Sequence, residues 1–136
     1  YIILAVATDS AGRQGADLSF NAIVDHTPPT ITFDPIKSPF MGSVVTFNWA
    51  GNDDRSGIDH YDIGVYRNGG SYQSLGTNLP VTKTSHQIYA AKKQILIFEV
   101  TGYDKSGNSA KKMIPVYTDG YVFPKGYIFP AFFKGE

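Results

Sequence analysis

Apolar and polar residues alternate with a period of two along most of this chain. Val45, Phe47 and Trp49 alternate with Thr46 and Asn48, and Tyr61, Ile63 and Val65 with Asp62 and Gly64. Side chains of a strand point to opposite faces in turn, so this pattern predicts half-buried β-strands. Ile31 and Phe33 mark an earlier strand, Thr84 to Tyr89 a weaker one, and Gln94 to Tyr103 a long one with Phe98, Val100 and Gly102 on one face. Asn68-Gly69-Gly70 predicts a tight hairpin turn, because such turns need positive φ, and Tyr72 to Leu75 pairs back across it. Ser109 to Thr118 closes the series, with Pro115 suited to an edge strand because it lacks an N–H. No stretch shows helical periodicity over two turns. The class is all-β, and the predicted core is Phe33, Val45, Phe47, Trp49, Tyr61, Ile63, Val65, Phe98, Val100, Ile114 and Val116.

An internal repeat sets the organisation. Asp9-Ser-Ala-Gly12-Arg13 follows one strand-like run and Asp104-Lys-Ser-Gly107-Asn108 another, each position shifted by 95; Asp25 and Asp119 follow at a shift of 94. Two copies of a strand–turn–strand at that spacing imply a repeating unit of β-sandwich size. Residues 1–25 then read as the last hairpin of a preceding repeat, 26–119 as a complete module, and 120–136 as an aromatic-rich tail or the start of a further element. The tail duplicates Gly-Tyr-x-Phe-Pro and carries six aromatics, which predicts docking on a neighbouring surface.

The turn motifs Asp54-Arg-Ser-Gly-Ile58 and Asp104-Lys-Ser-Gly-Asn108, with the linker Val24-Asp-His-Thr-Pro-Pro29, resemble bacterial and archaeal immunoglobulin-like tandem repeats of surface and secreted proteins. Trp49 before the loop and Tyr61 after it are similar to the pattern of fibronectin type III modules. The resemblance covers roughly residues 1–119. It implies an immunoglobulin-like β-sandwich of about seven antiparallel strands, and an extracellular or cell-surface setting with neighbouring domains of the same kind as partners.

Lys plus Arg equals Asp plus Glu at 12 each, so no long-range field favours nucleic acid or an anionic membrane. No apolar run has the length of a membrane-spanning helix. With no cysteine, a disulfide, a thiolate metal site and a Cys nucleophile are excluded. His26, His60 and His86 have no metal-ligand spacing, Gly-x-Ser-x-Gly is absent, and Glu occurs only at 99 and 136. No catalytic residue or cofactor is therefore expected, and the chain reads as a non-enzyme.

Two sets of residues are candidates for binding. In such a sandwich the linker and two loops meet at one pole, which would gather Asp25, Asn52, Asp53, Asp54, Asp104 and Asn108, with Asp25, Asp53, Asp54 and Asp104 as hard oxygen ligands for calcium. The same carboxylates, taken separately, are turn caps. Tyr66, Tyr72 and Tyr89 on outward strand faces would form an aromatic platform for a carbohydrate; the alternative is cross-strand aromatic pairing. The function expected is a structural spacer or stalk module of a large extracellular protein. The alternatives are a carbohydrate- or protein-binding adhesin module, binding a glycan or surface protein, and an accessory domain of a secreted protease or glycosidase. A hairpin torn from its sheet also predicts self-association through residues 1–25.

Overall fold

The computed structural model describes residues 2–16, 18–22 and 24–126. The described residues form nine strands in order: β1 (Ile2–Ala5), β2 (Leu18–Asn21), β3 (Thr30–Phe33), β4 (Val44–Asn52), β5 (Ile58–Arg67), β6 (Gln73–Pro80), β7 (Ser85–Tyr89), β8 (Ile95–Asp104) and β9 (Ser109–Tyr117). The described residues contain no helix. Seven strands form a β-sandwich of two antiparallel sheets, ordered β3-β4-β7 and β6-β5-β8-β9, while β1 and β2, among the described residues, pair only with each other.

The alternation does what it predicts. Along β4, Val45, Phe47 and Trp49 are buried, and along β5, Tyr61, Ile63 and Val65 are buried. Phe47 and Phe98 stack across the two sheets at 4.3 Å between ring centroids, and Trp49 packs edge-on against Tyr61 at 5.9 Å. Offset and edge-to-face pairs add to the area term, so this cluster anchors the sandwich. Two predicted core residues, Phe33 and Ile114, are only partly buried. Phe33 ends a short edge strand, and Ile114 lies on edge strand β9. Ile31, Ile88, Ile95 and Leu96 are buried as well. Leu96 was hidden in the sequence because Ile95-Leu-Ile-Phe98 is apolar at both parities.

The connections close the fold at both ends. Asn68 and Gly69 take φ of 51° and 73°, the two positive values a tight hairpin requires, and join β5 to β6. After β3 the chain crosses to the other sheet, where Phe40 makes a parallel bridge to Thr118 just past β9. Pro115 does lie on the edge strand β9. Of the aromatic tail, Tyr121 and Phe123 fold back beside Tyr117, with Phe123 5.2 Å from Tyr117 and 5.0 Å from Tyr121. The rest of the tail lies outside the described residues.

The strands flanking the two Asp-x-x-Gly turns pair alike. Thr8↔Gln14 in the first copy corresponds to Tyr103↔Ser109 in the second. From Thr8↔Gln14 to Ala5↔Leu18, the first strand advances three residues and the second four. That one extra residue is why the shift of 95 becomes 94.

Candidate functional site

The acidic pole begins with the Asp104 turn. Asp104 Oδ1 accepts from the N–H groups of Ser106 and Asn108, both at 2.8 Å, and Oδ2 accepts from Asn108 Nδ2 at 2.8 Å. Gly107 sits at φ 90°, which a side chain would strain. The first copy repeats this geometry: Asp9 Oδ1 accepts from the N–H groups of Ala11 and Arg13 at 2.9 Å, with Gly12 at φ 81°. Arg13 Nε donates to Asp9 Oδ2 at 2.7 Å, taking the place of the Asn108 amide. An identical side chain and glycine spacing has thus produced one turn twice.

The linker is tied to both neighbouring loops. Asp25 Oδ1 accepts from Thr27 N–H at 2.9 Å, and Oδ2 accepts from the Ser56 hydroxyl at 2.7 Å and its N–H at 3.2 Å. Asn108 Nδ2 donates to the Asp25 carbonyl at 3.0 Å. Hydrogen bonds from Thr27 and then Ser56, with help from the Arg55 charge, outweigh burial and hold the Asp25 carboxyl below its ordinary value of 3.8. Asp53 Oδ1 caps the next loop, accepting from the N–H groups of Arg55, Ser56 and Gly57 at 2.7–3.1 Å.

Asp25, Asp53 and Asp104 do converge, with one carboxylate oxygen of each within 4.8 Å of the others. Asp54 does not belong to the group; it points to solvent, and the turn cap expected of it is made by Asp53. Five of the six carboxylate oxygens already accept protein donors, and Asp53 Oδ2 is buried with none. Calcium takes six to eight oxygens. Asp53 Oδ2 has no donor, and Asp25 Oδ1 and Asp104 Oδ2 accept one each. Three oxygens thus keep capacity for a cation, fewer than calcium takes, and the donor set fits a network of turn caps better.

The tyrosine platform is divided. Tyr66 and Tyr72 meet on the outer face of the four-stranded sheet, ring centroids 5.5 Å apart. Tyr72 lies across Gly64, where a Cβ would collide with its ring. Glu99 is buried beneath this face, accepting from the Tyr66 hydroxyl at 3.3 Å and pairing with Lys111 at 3.5 Å. Burial first, then the charges of Glu99 and Asp62, push the Tyr72 hydroxyl up. Tyr89 belongs to β7 of the other sheet and stands apart from this pair. Strand parity separates inward from outward residues but does not say which sheet a strand joins.

The histidines are scattered as the sequence indicated. His60 stacks on Tyr103 at 4.4 Å and bonds Asp59, while half-buried His86 lies beside Phe98 and is pushed down by burial. Ser56 and Asn108 emerge as the residues that join linker to loops. Asn108 lies at the pole where the sequence places it, whereas Ser56 had no such signal. No helix among the described residues is long and apolar enough to cross a membrane. The sequence matches no family model and no curated protein.

Proposed function

We propose that this chain is a non-catalytic spacer module of the immunoglobulin-like kind, part of a longer extracellular or cell-surface protein built from such repeats. The observation that carries this reading is the Asp25 clamp. A free linker would leave Asp25 in solvent; here its carboxylate and carbonyl bond the loops before β5 and β9, and the carboxylate is buried. Pro28 and Pro29 restrict the next two residues, with Pro29 buried as β3 begins. A module entered through a fixed linker transmits orientation to whatever precedes it, which is what a stalk requires.

Backbone relaxation of the linker tests this. Asp25 to Thr27 should be as ordered as the sandwich, with order parameters of about 0.85, and Asp25→Ala should lower Thr27 to below about 0.6. Values already below about 0.6 in the parent chain would end the spacer reading. A second reading, a carbohydrate-binding module, is favoured by the Tyr66–Tyr72 pair with acidic groups beside it. A glycan array answers it: binding that Tyr72→Ala abolishes supports that reading, and an empty array removes it.

A further inference from the structure

We infer that the free edge of β1 is a docking edge for one antiparallel strand, the counterpart of β5 in an upstream copy of this module. The inference rests on the tandem-module reading and names the partner it requires. The chain itself shows what completes such a hairpin. In the second copy, β8 pairs with β9 on one side and with β5 on the other, setting Tyr61 against Gly102, Ile63 against Val100 and Val65 against Phe98. Under the shift of 95, those β8 positions are Ala7, Ala5 and Ile3. In the first copy the β9 side is filled by β2, and the β5 side is vacant among the described residues.

The vacancy has the right backbone polarity. Asp9 N–H donates to Arg13 and Ala7 accepts from Gly15, so the odd-numbered residues of this strand bond toward β2. In an antiparallel ladder the alternate residues then turn outward, here Leu4, Val6 and Thr8. The side chains agree. Phe98 and Val100 are fully buried, whereas Ile3 is 43% exposed and Leu4 69%. A strand edge with apolar side chains on both faces is one that a chain covers. The sandwich of the same chain offers no β5 for it, because both edges of β5 are taken by β6 and β8.

The repeat spacing fixes the test. Since residue 1 corresponds to residue 96, residues 26–95 can be fused directly ahead of Tyr1 of the whole 136-residue chain, with no added linker. Amide exchange is then compared with that of the unextended chain. The expected result is slowing at Leu4, Val6 and Thr8 on the order of a hundredfold, with sandwich amides unchanged. Ile3 and Ala5 are smaller than Phe98 and Val100, so a second fusion carries Ile3→Phe and Ala5→Val to restore the β8 side chains. Fast exchange at the three amides in both fusions overturns the inference. Both chains are compared at a concentration too low for association. Protection of the three amides already present in the monomeric unextended chain, and not increased by the fusion, shows that the edge is covered within the chain and also overturns it. A rigid Asp25 linker beside an unprotected β1 would leave the spacer reading standing and remove only this one.

Discussion

Asp25 carries a pH dependence whose sign follows from its bonds. Its carboxyl titrates below 3.8 in the folded chain because the Thr27 N–H and the Ser56 hydroxyl favour the charged form. A depressed folded value stabilises the fold above the ordinary carboxylate range, and that contribution is lost as pH falls through the folded value. Melting curves from pH 7 to 2.5 should therefore fall more steeply for the parent than for Asp25→Asn, which cannot titrate; parallel curves would contradict this. The neighbouring carboxylates lead to an expectation about cations. Only Asp53 Oδ2 among the six oxygens lacks a donor, and three of the others accept two or more, so a bound ion would have to share or displace protein donors. Calcium at about 10⁻⁴–10⁻³ M, the range of weak extracellular sites, should leave the melting temperature unchanged. A rise that saturates in that range would make Asp25, Asp53 and Asp104 ligands after all. In the core, Phe98 touches Phe33, Phe47 and Trp49 and is wholly buried. Phe98→Ala should cost about 3–5 kcal/mol by denaturant titration, since the rigid walls of two sheets cannot collapse into the space; a cost below about 1 kcal/mol would mean the cluster repacks.

At the scale of elements, the same Asp-x-x-Gly turn occurs in two settings, which separates local from tertiary roles. Both aspartates cap the turn N–H groups, but Asp104 is buried and its partner Asn108 also holds the linker, whereas Asp9 is exposed. Asp104→Ala should lower the main thermal transition by several degrees, because it removes a buried carboxylate that the Ser106 and Asn108 N–H groups and the Asn108 amide all donate to. Asp9→Ala should leave that transition in place, and equal shifts from the two variants would show that hairpin and sandwich melt as one unit. This turn was legible from sequence because its determinants are four consecutive side chains and a glycine. So were most strands of the sandwich, from parity, and the Tyr66–Tyr72 pair, since β5 and β6 are joined by a hairpin whose turn residues name themselves. β6, however, starts at Gln73 and runs on past Leu75 to Pro80, where the sequence shows no alternation. The choice of Asp53 over Asp54 was not legible. Both neighbour the same Ser-Gly, and only the path of the loop decides which carboxylate faces Ser56. Tyr89 was misplaced for a related reason: β7 crosses to the sheet of β4, and no local signal in Ser85–Tyr89 records that crossing. Buried Glu99 gave a faint hint as the one acid between Phe98 and Val100, but its partners Tyr66 and Lys111 come from strands on either side.

For the whole molecule, the sandwich and the hairpin differ in how completely they satisfy themselves. The sandwich closes a core from Ile31 to Val116 between two sheets. The hairpin is two strands with exposed Ile2, Ile3, Leu4 and Val6, and a pair of strands alone is marginal in water. The chain has no net charge, so no long-range repulsion keeps such edges apart. The 136-residue chain, without an upstream strand, should therefore associate as its concentration rises. Because the contact is apolar side chains and backbone hydrogen bonds, and not ion pairs, the association should persist at about 1 M salt, where the screening length is about 3 Å. Residues 25–136 retain the Asp25 clamp and all seven sandwich strands and should sediment as a monomer throughout. The shorter chain associating equally would move the interface to the sandwich, with exposed Met41 and Tyr89 the first residues to examine. A parent chain that stays monomeric at every concentration would show instead that the hairpin's apolar residues are covered within the chain, and that the edge of β1 needs no partner.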